Sequence, residues 1–448
     1  MVCSPTCFFH LTVNSSILLD IGQLRIGMYV QLDVNWLQHP FPVGSFRIAS
    51  QEQIATLREL GLKEVRYVPE KSDPQWRDPD SARNAAPDVV DDAANAASSD
   101  PPPEAISPDA DPGVDWRRRL IEEQNRARAV CDQHFTEATR QFHAVERAVQ
   151  DQPAQARAKV DGLVSGCVSD VLEHGESVIR LLSEGVGERS GQHPVNVTVL
   201  CLLLGRALGM DMDELTDVGT AALIHDIGKI KLPSNLRYSR TSMPLVERAR
   251  YETHVEESVD LARKMGCSQA VLAAVARHHE MADGSGFPAR LSGSELGRMG
   301  QMLALVNLYD RMCNPANGVD ALTPHEVLAV MFSQLKSRFD PVVLGAFIRI
   351  MGVYPPGSVV QLVNDRYAIV ISVNSSRPLR PKVIVHDPEI PKEDALLLDL
   401  ETLPELGIRR SLKPSQLPRE SLEYLSPRQR ICYFFERAVP AGPREADP

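Results

Sequence analysis

The stretch AALIHDIGKI, residues 221–230, sets His225 and Asp226 side by side at the end of an apolar run and closes with Gly228 and Lys229. Neighbouring side chains on a helix point about 100° apart, so they rarely share one hydrogen bond, but they can grip one bulky charged object from two directions. A metal ion or a metal pair is such an object. The same pair could instead cap a helix or form a surface ion pair. The choice turns on whether further ligands stand elsewhere.

They do. AVARHHEMADGSGFP, residues 274–288, supplies His278 and His279 at the end of a second apolar helical stretch, in a chain with 12 histidines. His193 opens HPVNVTVLCLLLGRALGM, and His254 sits within RARYETHVEESVDLARKMG, both helical in pattern. Five imidazoles and one carboxylate suit a first-row transition ion, since the set holds no thiolate and is not an all-oxygen magnesium or calcium cage.

The motifs HDIGK at 225–229 and HHE with DGSGFP at 278–288 resemble those of the HD-GYP family, metal-dependent phosphohydrolases that cleave the bacterial messenger cyclic di-GMP. The resemblance spans roughly 185–350. It implies that His193, His225, Asp226, His254, His278 and His279 ligate two divalent transition-metal ions (Fe, Mn, Ni or Zn), with Asp226 bridging and catalytic and with Lys229 facing a substrate phosphate. It implies cyclic di-GMP as substrate and diguanylate cyclase domain proteins as partners. Such a metal pair, about 3.5 to 4 Å apart, stabilises the oxygens of an in-line phosphoryl displacement.

Four positions depart from the family pattern. Asn307 in LALVNLYDRM stands where the last metal-binding Asp is expected; it can still offer one oxygen, but without charge. Ala316, Asn317, Gly318 and Val319 replace the usual Arg-Pro-Tyr-Arg, whose guanidinium groups would hold phosphate or guanine. Phe287 replaces a Tyr and loses its hydroxyl. Arg189 stands where some members carry an acidic ligand for a third ion, which points to two metals at most. These departures keep two other classes open: a degenerate module acting as a nucleotide-binding or protein-interaction scaffold, and an HD-type hydrolase of another nucleotide.

Within DGSGFP, Gly284 and Gly286 can take positive φ, so Asp283, Gly284, Gly286, Phe287 and Pro288 read as a tight loop whose backbone N–H groups face an anion or a partner protein. Glu280 reads as a residue that orients a ligand from behind, with a solvent-facing role as the alternative. Lys229 could equally be a solvated lysine near a helix C-terminus.

The fold class expected is multidomain and mainly α: an all-helical HD-type metal-binding bundle with a small α/β N-terminal domain and a small β-rich C-terminal domain. With 448 residues, 43% of them hydrophobic, the chain can bury large cores in two or three domains. Residues 1–70 carry strands, an amphipathic helix near 51–61 and a final strand, and resemble the uncharacterised domain often found ahead of HD-GYP domains, through Trp36, His39, Pro40 and Phe41.

Residues 71–113 hold ten acidic and three basic residues, eight prolines and nine alanines, which reads as a disordered linker and carries most of the net charge of −11. The near-neutral remainder shows no basic stripe, so duplex nucleic acid is not expected as a partner. The helical segment 114–184 spaces Cys131, Phe135, Ala138, Phe142, Val145 and Val149 at three- and four-residue steps. That seam favours packing on the chain's own core, with pairing into a homodimer as the alternative.

The HD-GYP-like domain is expected over 185–355, and 356–448 alternates in the manner of strands around an Asn364-Asp365 turn. The segment SLKPSQLPRESLEYLSPRQRICYFF reads as core packing without legible chemistry. Eight scattered cysteines make no zinc or disulfide spacing, and no run of 18 apolar residues occurs. The expectation is therefore a cytoplasmic protein with reduced thiols and no membrane span.

Overall fold

The computed structural model describes residues 17–31, 45–48, 64–76, 112–173, 178–237, 243–315, 321–374, 381–403 and 406–436, together with Gln51, Ile54, Leu57 and Arg58. The chain divides into two compact units, 1–120 and 121–448.

In the first unit, β1 (Ile17–Asp20), β2 (Tyr29–Gln31), β3 (Ser45–Arg47) and β4 (Glu64–Tyr67) form an antiparallel sheet in the order β1-β4-β2-β3. Its core holds Leu19, Leu24, Met28, Val30, Val65 and Tyr67, joined by Ile54 and Leu57 from the expected 51–61 helix. Residues 71–76, expected to belong to the linker, are instead part of this unit. Ser72 is buried and its hydroxyl donates to Val68 O (2.9 Å), while Trp76 packs on this core and donates Nε1–H to Ile26 O (2.9 Å). An indole offers more apolar area than composition alone suggests for so polar a stretch. Residues 77–111 lie outside the described residues, as do Trp36, His39, Pro40 and Phe41.

The second unit begins within α1 (Pro112–Ala148), which is followed by α2 (Pro153–Glu173), β5 (Val178–Leu181) and α3 (Arg189–Ala207). The α1 seam is buried in the unit's main core, with Phe135, Val145 and Val149 wholly inaccessible. Each such large apolar side chain stabilises the fold by about 1.5 to 3 kcal/mol on burial. Then come α4 (Met212–Ile224), α5 (Leu245–Glu252), α6 (His254–Lys264), α7 (Gln269–Ala276), α8 (Gly297–Cys313), α9 (Pro324–Ser333) and α10 (Pro341–Met351). Local sequence fixes their starts: Asp211 and Glu214 form a reciprocal capping box on α4, and Asp340 ahead of Pro341 caps α10 by accepting from Val342 N and Val343 N.

The remaining elements are β6 (Val359–Leu362), β7 (Tyr367–Asn374), β8 (Lys382–Val385), β9 (Leu397–Asp399), β10 (Ile408–Leu412), α11 (Arg419–Leu425) and β11 (Tyr433–Glu436). Strands β5 to β11 make one antiparallel seven-stranded sheet, ordered β10-β6-β7-β5-β11, with β8 on β7 and β9 on β8. Asp365 at φ 65° turns the β6–β7 hairpin at the expected place. The β-rich region is not a separate compact unit. Strand β5, which precedes the helical core in sequence, pairs with both β7 and β11, and residues of β6, β7 and β11 share the main core with α1 to α4. A sheet with one apolar face against helices buries that face in a common core. Among the described residues, no helix is long and apolar enough to cross a membrane.

Candidate metal centre

Three helix ends and one helix interior converge on one buried point. His225 follows α4 directly, Asp226 leads into a 3-10 turn (Ile227–Lys231), His254 opens α6, and His278 and His279 lie just past α7. His193 comes from the first turns of α3. The convergence depends on Gly228: a Cβ there would lie 2.4 Å from both His254 O and Ser258 N, so the 3-10 turn can lie against the start of α6 only without a side chain. Gly228 N–H donates to Ser258 Oγ at 2.8 Å, which locks that crossing.

The six residues fall into two groups that share Asp226. Its Oδ2 faces His193 Nε2 (3.5 Å) and His225 Nε2 (3.4 Å), and its Oδ1 faces His254 Nε2 (3.3 Å) and His278 Nε2 (3.5 Å). Within the groups, His193 Nε2 and His225 Nε2 are 3.2 Å apart, and His254 Nε2 lies 3.3 Å from His278 Nε2 and 3.2 Å from His279 Nε2.

The other ring nitrogens decide what these contacts are. Nδ1 of His225, His254 and His278 faces the carbonyl oxygens of Ala222 (2.7 Å), Tyr251 (2.5 Å) and Val275 (2.6 Å), and a carbonyl can only accept. Those Nδ1 atoms therefore carry the proton, and each neutral ring turns an Nε2 lone pair inward. His193 is oriented by Asp310, whose Oδ2 lies 2.5 Å from its Nδ1. The Nε2 lone pairs of His225, His254 and His278 thus converge on the carboxylate, and Asp226 Oδ1 and Asn307 Oδ1 are buried without a hydrogen-bond partner among the described residues. A buried group in that state is costly unless a cation meets it. The donor set fits a metal.

The electrostatics agree. Burial would raise the Asp226 carboxyl, but Lys229 and the surrounding imidazoles outweigh it and hold it well below the usual carboxylate value. Burial pushes His278 down to about 3 and, reinforced by His278, pushes His279 well below an ordinary histidine; burial also lowers His225. His193 goes the other way: burial pulls it down, but Asp226 and Asp310 together raise it.

Asn307 lies on α8 and is buried, its Nδ2 donating to His278 O at 3.2 Å. Asp310 and Arg311 follow three and four residues later on the same face. Asp310 also accepts from Asn196 Nδ2 (2.6 Å) and Asn314 Nδ2 (3.0 Å). The sequence reading missed Asp310 and Arg311, although i, i+3 and i+4 spacing from Asn307 is the signal that marks them. His279 differs from its neighbours. Its Nδ1 faces Arg311 Nη1 at 3.5 Å instead of a carbonyl, and its ring stacks on Phe287 at 4.4 Å between centroids.

Lys229 bonds to Asp226 Oδ2 and lies 5.5 Å from the centre of the Tyr251 ring. Both Asp226 and Lys229 line a cavity of about 360 Å³ beside the histidines. Three N–H groups of the DGSGFP loop are used within the chain: those of Gly284, Ser285 and Phe287 donate to Met281 O (2.9 Å), Asp283 Oδ1 (3.0 Å) and His279 O (3.2 Å). Gly284 has φ 75°, whereas Gly286 is needed for room, since its Cβ would lie 2.5 Å from Glu280 Cα, His279 O and Met281 N. Pro288 follows a cis peptide bond. Glu280 neither orients a ligand nor faces water; fully buried, it accepts from Ala289 N (2.7 Å) and Leu291 N (3.0 Å) and so anchors the loop. The Ala316, Asn317, Gly318 and Val319 stretch lies outside the described residues.

Comparison with known proteins agrees with this geometry. Residues 176–343 match the HD domain family, and residues 16–160 match a domain of unknown function, DUF3391. A cyclic di-GMP phosphodiesterase of Pseudomonas aeruginosa is 27% identical over 82% of this chain and 84% of its own. A 3'3'-cGAMP-specific phosphodiesterase 2 of Vibrio cholerae is 27% identical over 38% of this chain and 34% of its own. A solved structure, Bd1817, a HDG"Y"P protein from Bdellovibrio bacteriovorus, superposes with a TM-score of 0.39 at 15% identity over 74% of this chain and 98% of that one. These matches place an HD domain behind a DUF3391 region in this chain, and HDIGK at 225–229 with HHE and DGSGFP at 278–288 resembles the motifs of HD-GYP proteins.

Proposed function

We propose that this chain is a metal-dependent phosphodiesterase that hydrolyses cyclic di-GMP in bacterial second-messenger signalling. The observation that carries the reading is the division of Asp226, one oxygen toward His193 and His225 and the other toward His254 and His278. A carboxylate so placed would hold two cations, with His279 and the neighbouring Asn307 as further donors on the Oδ1 side. Bound there, a divalent pair of Fe, Mn, Ni or Zn supplies Lewis-acid activation of water and of the phosphoryl oxygens.

The chain's own residues do the rest. Carbonyls hold His225, His254 and His278 in the ligating tautomer and Asp310 orients His193, so little of these four reorganises on loading. Lys229 lines the cavity beside Asp226, where its ammonium meets charge that builds on a phosphate. Phe287 stacks on His279 and shields that edge of the site. Diguanylate cyclase proteins, which would make the substrate, are the partners this reading implies.

A second reading, an HD-type hydrolase of another cyclic dinucleotide, has support from relatives named as 3'3'-cGAMP-specific phosphodiesterases. Elemental analysis followed by single-turnover assays tests both. With manganese, or with ferrous iron under anaerobic conditions, cyclic di-GMP is expected to be cleaved faster than 3'3'-cGAMP. Faster cleavage of 3'3'-cGAMP would select the second reading, and metal without turnover of either would make the chain a binding module.

A further inference from the structure

The cavity beside Asp226 is strongly cationic. Its walls carry Arg189, Lys229, Arg237, Arg311 and Arg430 against the carboxylates of Asp226 and Glu146. Two of the five cations already have work within the fold: Lys229 bonds to Asp226, and Arg237 donates to Ile230 O and Leu232 O, each at 3.2 Å. Arg311 reaches His279 Nδ1 at 3.5 Å, and Arg189 and Arg430 remain to meet a ligand. Arg430 comes from outside residues 176–343, in the segment that precedes β11.

That segment is tied to the metal centre by hydrogen bonds. Ile431 O accepts from Asn196 Nδ2 (2.9 Å) and Asn314 Nδ2 (2.8 Å), Ile431 N donates to Asn314 Oδ1 (2.7 Å), and Tyr433 N donates to Asn196 Oδ1 (2.7 Å). The same two asparagines hold Asp310, which orients His193. Tyr433 Oη lies 2.9 Å from Tyr309 Oη on α8, and Cys432 O accepts from Leu182 N at 3.0 Å. The backbone on either side of Arg430 is thus fixed relative to His193. Its guanidinium Nε is buried and has no hydrogen-bond partner among the described residues. A buried guanidinium donor without an acceptor is destabilising, and an anion in the cavity would supply the acceptor.

We propose that Arg430, carried into the site by the C-terminal segment, binds a phosphate of the substrate together with Arg311 and Arg189. The C-terminal sheet is then part of the active site. A guanidinium binds phosphate through a planar two-pronged contact that lysine cannot copy. The inference rests on the phosphodiesterase reading in expecting a phosphate, but not in expecting cyclic di-GMP.

The test uses the full-length chain with its metal and 5'-GMP as a probe that is not cleaved. Calorimetric titration should show 5'-GMP binding weakened about tenfold or more in Arg430→Ala and Arg430→Gln and partly restored in Arg430→Lys, with metal content and melting temperature as in the wild type. Unchanged affinity in Arg430→Gln, or no 5'-GMP binding by the wild type, overturns the proposal. So does a loss of metal or melting temperature that accompanies the lost affinity in every Arg430 variant, since that marks a purely structural role. Dependence of 5'-GMP binding on Arg430 without cyclic di-GMP turnover would sink the cyclic di-GMP reading and leave this one standing. Turnover with equal KM in wild type and Arg430→Gln would do the reverse.

Discussion

On the Oδ2 side of Asp226, His193 is oriented by Asp310, which two asparagines hold in turn, and His225 is fixed by Ala222 O. On the Oδ1 side, His254 and His278 are fixed by carbonyls, but His279 faces a guanidinium and the remaining donor is the neutral Asn307. One half is braced by a buried carboxylate network, although Lys229 also bonds to Oδ2; the other has no carboxylate besides Asp226 and has the Arg311 guanidinium nearby. The two halves should therefore differ in affinity, with the first cation bound tightly on the His193–His225 side and the second bound weakly.

The largest effect should come from the residue the halves share. Asp226→Ala is expected to remove both ions, as measured by elemental mass spectrometry, and to leave a protein whose melting temperature no longer falls when a chelator is added, because the stabilisation that wild type draws from metal is gone. Retention of one ion per chain in this variant would show that the halves are independent and break the comparison. Asp310→Asn keeps the shape but removes the charge behind His193. It should weaken the tight ion by about ten- to a hundredfold in a competition titration while the weak one changes little. An equal loss at both would mean that the asymmetry described above does not govern affinity.

Asn307→Asp probes the opposite half and should raise function instead of lowering it. A carboxylate there adds charge beside His278 and should bring a second ion to full occupancy. If the missing charge limits catalysis, turnover of cyclic di-GMP rises with it; if substrate placement is limiting, occupancy rises and turnover stays flat. No change in metal stoichiometry would show that Asn307 is no part of the Oδ1 group.

How much of this was legible follows from what each residue's role depends on. His225, Asp226, His278 and His279 stand out because a buried ion would need scarce residue types at fixed spacing, whereas His193 and His254 lie on helical segments and join the candidate set only through the family resemblance. The α1 seam was readable because burial writes helical periodicity into sequence. Asp310 was passed over because an orienting carboxylate looks like any acidic residue until its partner is known. Arg430 was illegible for a stronger reason: it meets Arg189 through a strand pairing between residues far apart in the chain, and no local pattern encodes that juxtaposition. The separation of the C-terminal strands into their own domain failed similarly, since β5 contributes its pairing edges from the far side of the helical core. Glu280 misled because its neighbours are the candidate ligands His278 and His279, whereas its carboxylate serves the loop.

The smallest expected effect, and the sharpest, belongs to Arg311, which faces both the weak half of the metal centre and the cavity. Removing it should act with opposite signs on the two. Arg311→Ala takes a positive charge from beside His279 and frees its Nδ1, so the second ion should bind a few-fold more tightly, a gain of about 1 kcal/mol or less for a partly solvated charge. The same change deletes one guanidinium from the anion cradle, so affinity for 5'-GMP should fall. Measured on one preparation by metal titration and by calorimetry, a gain in the first with a loss in the second would show that this chain trades metal affinity for substrate contact at a single position. A loss in both would instead assign Arg311 to holding the imidazole of His279 in place, and the weak half of the centre would then owe its weakness to Asn307 alone.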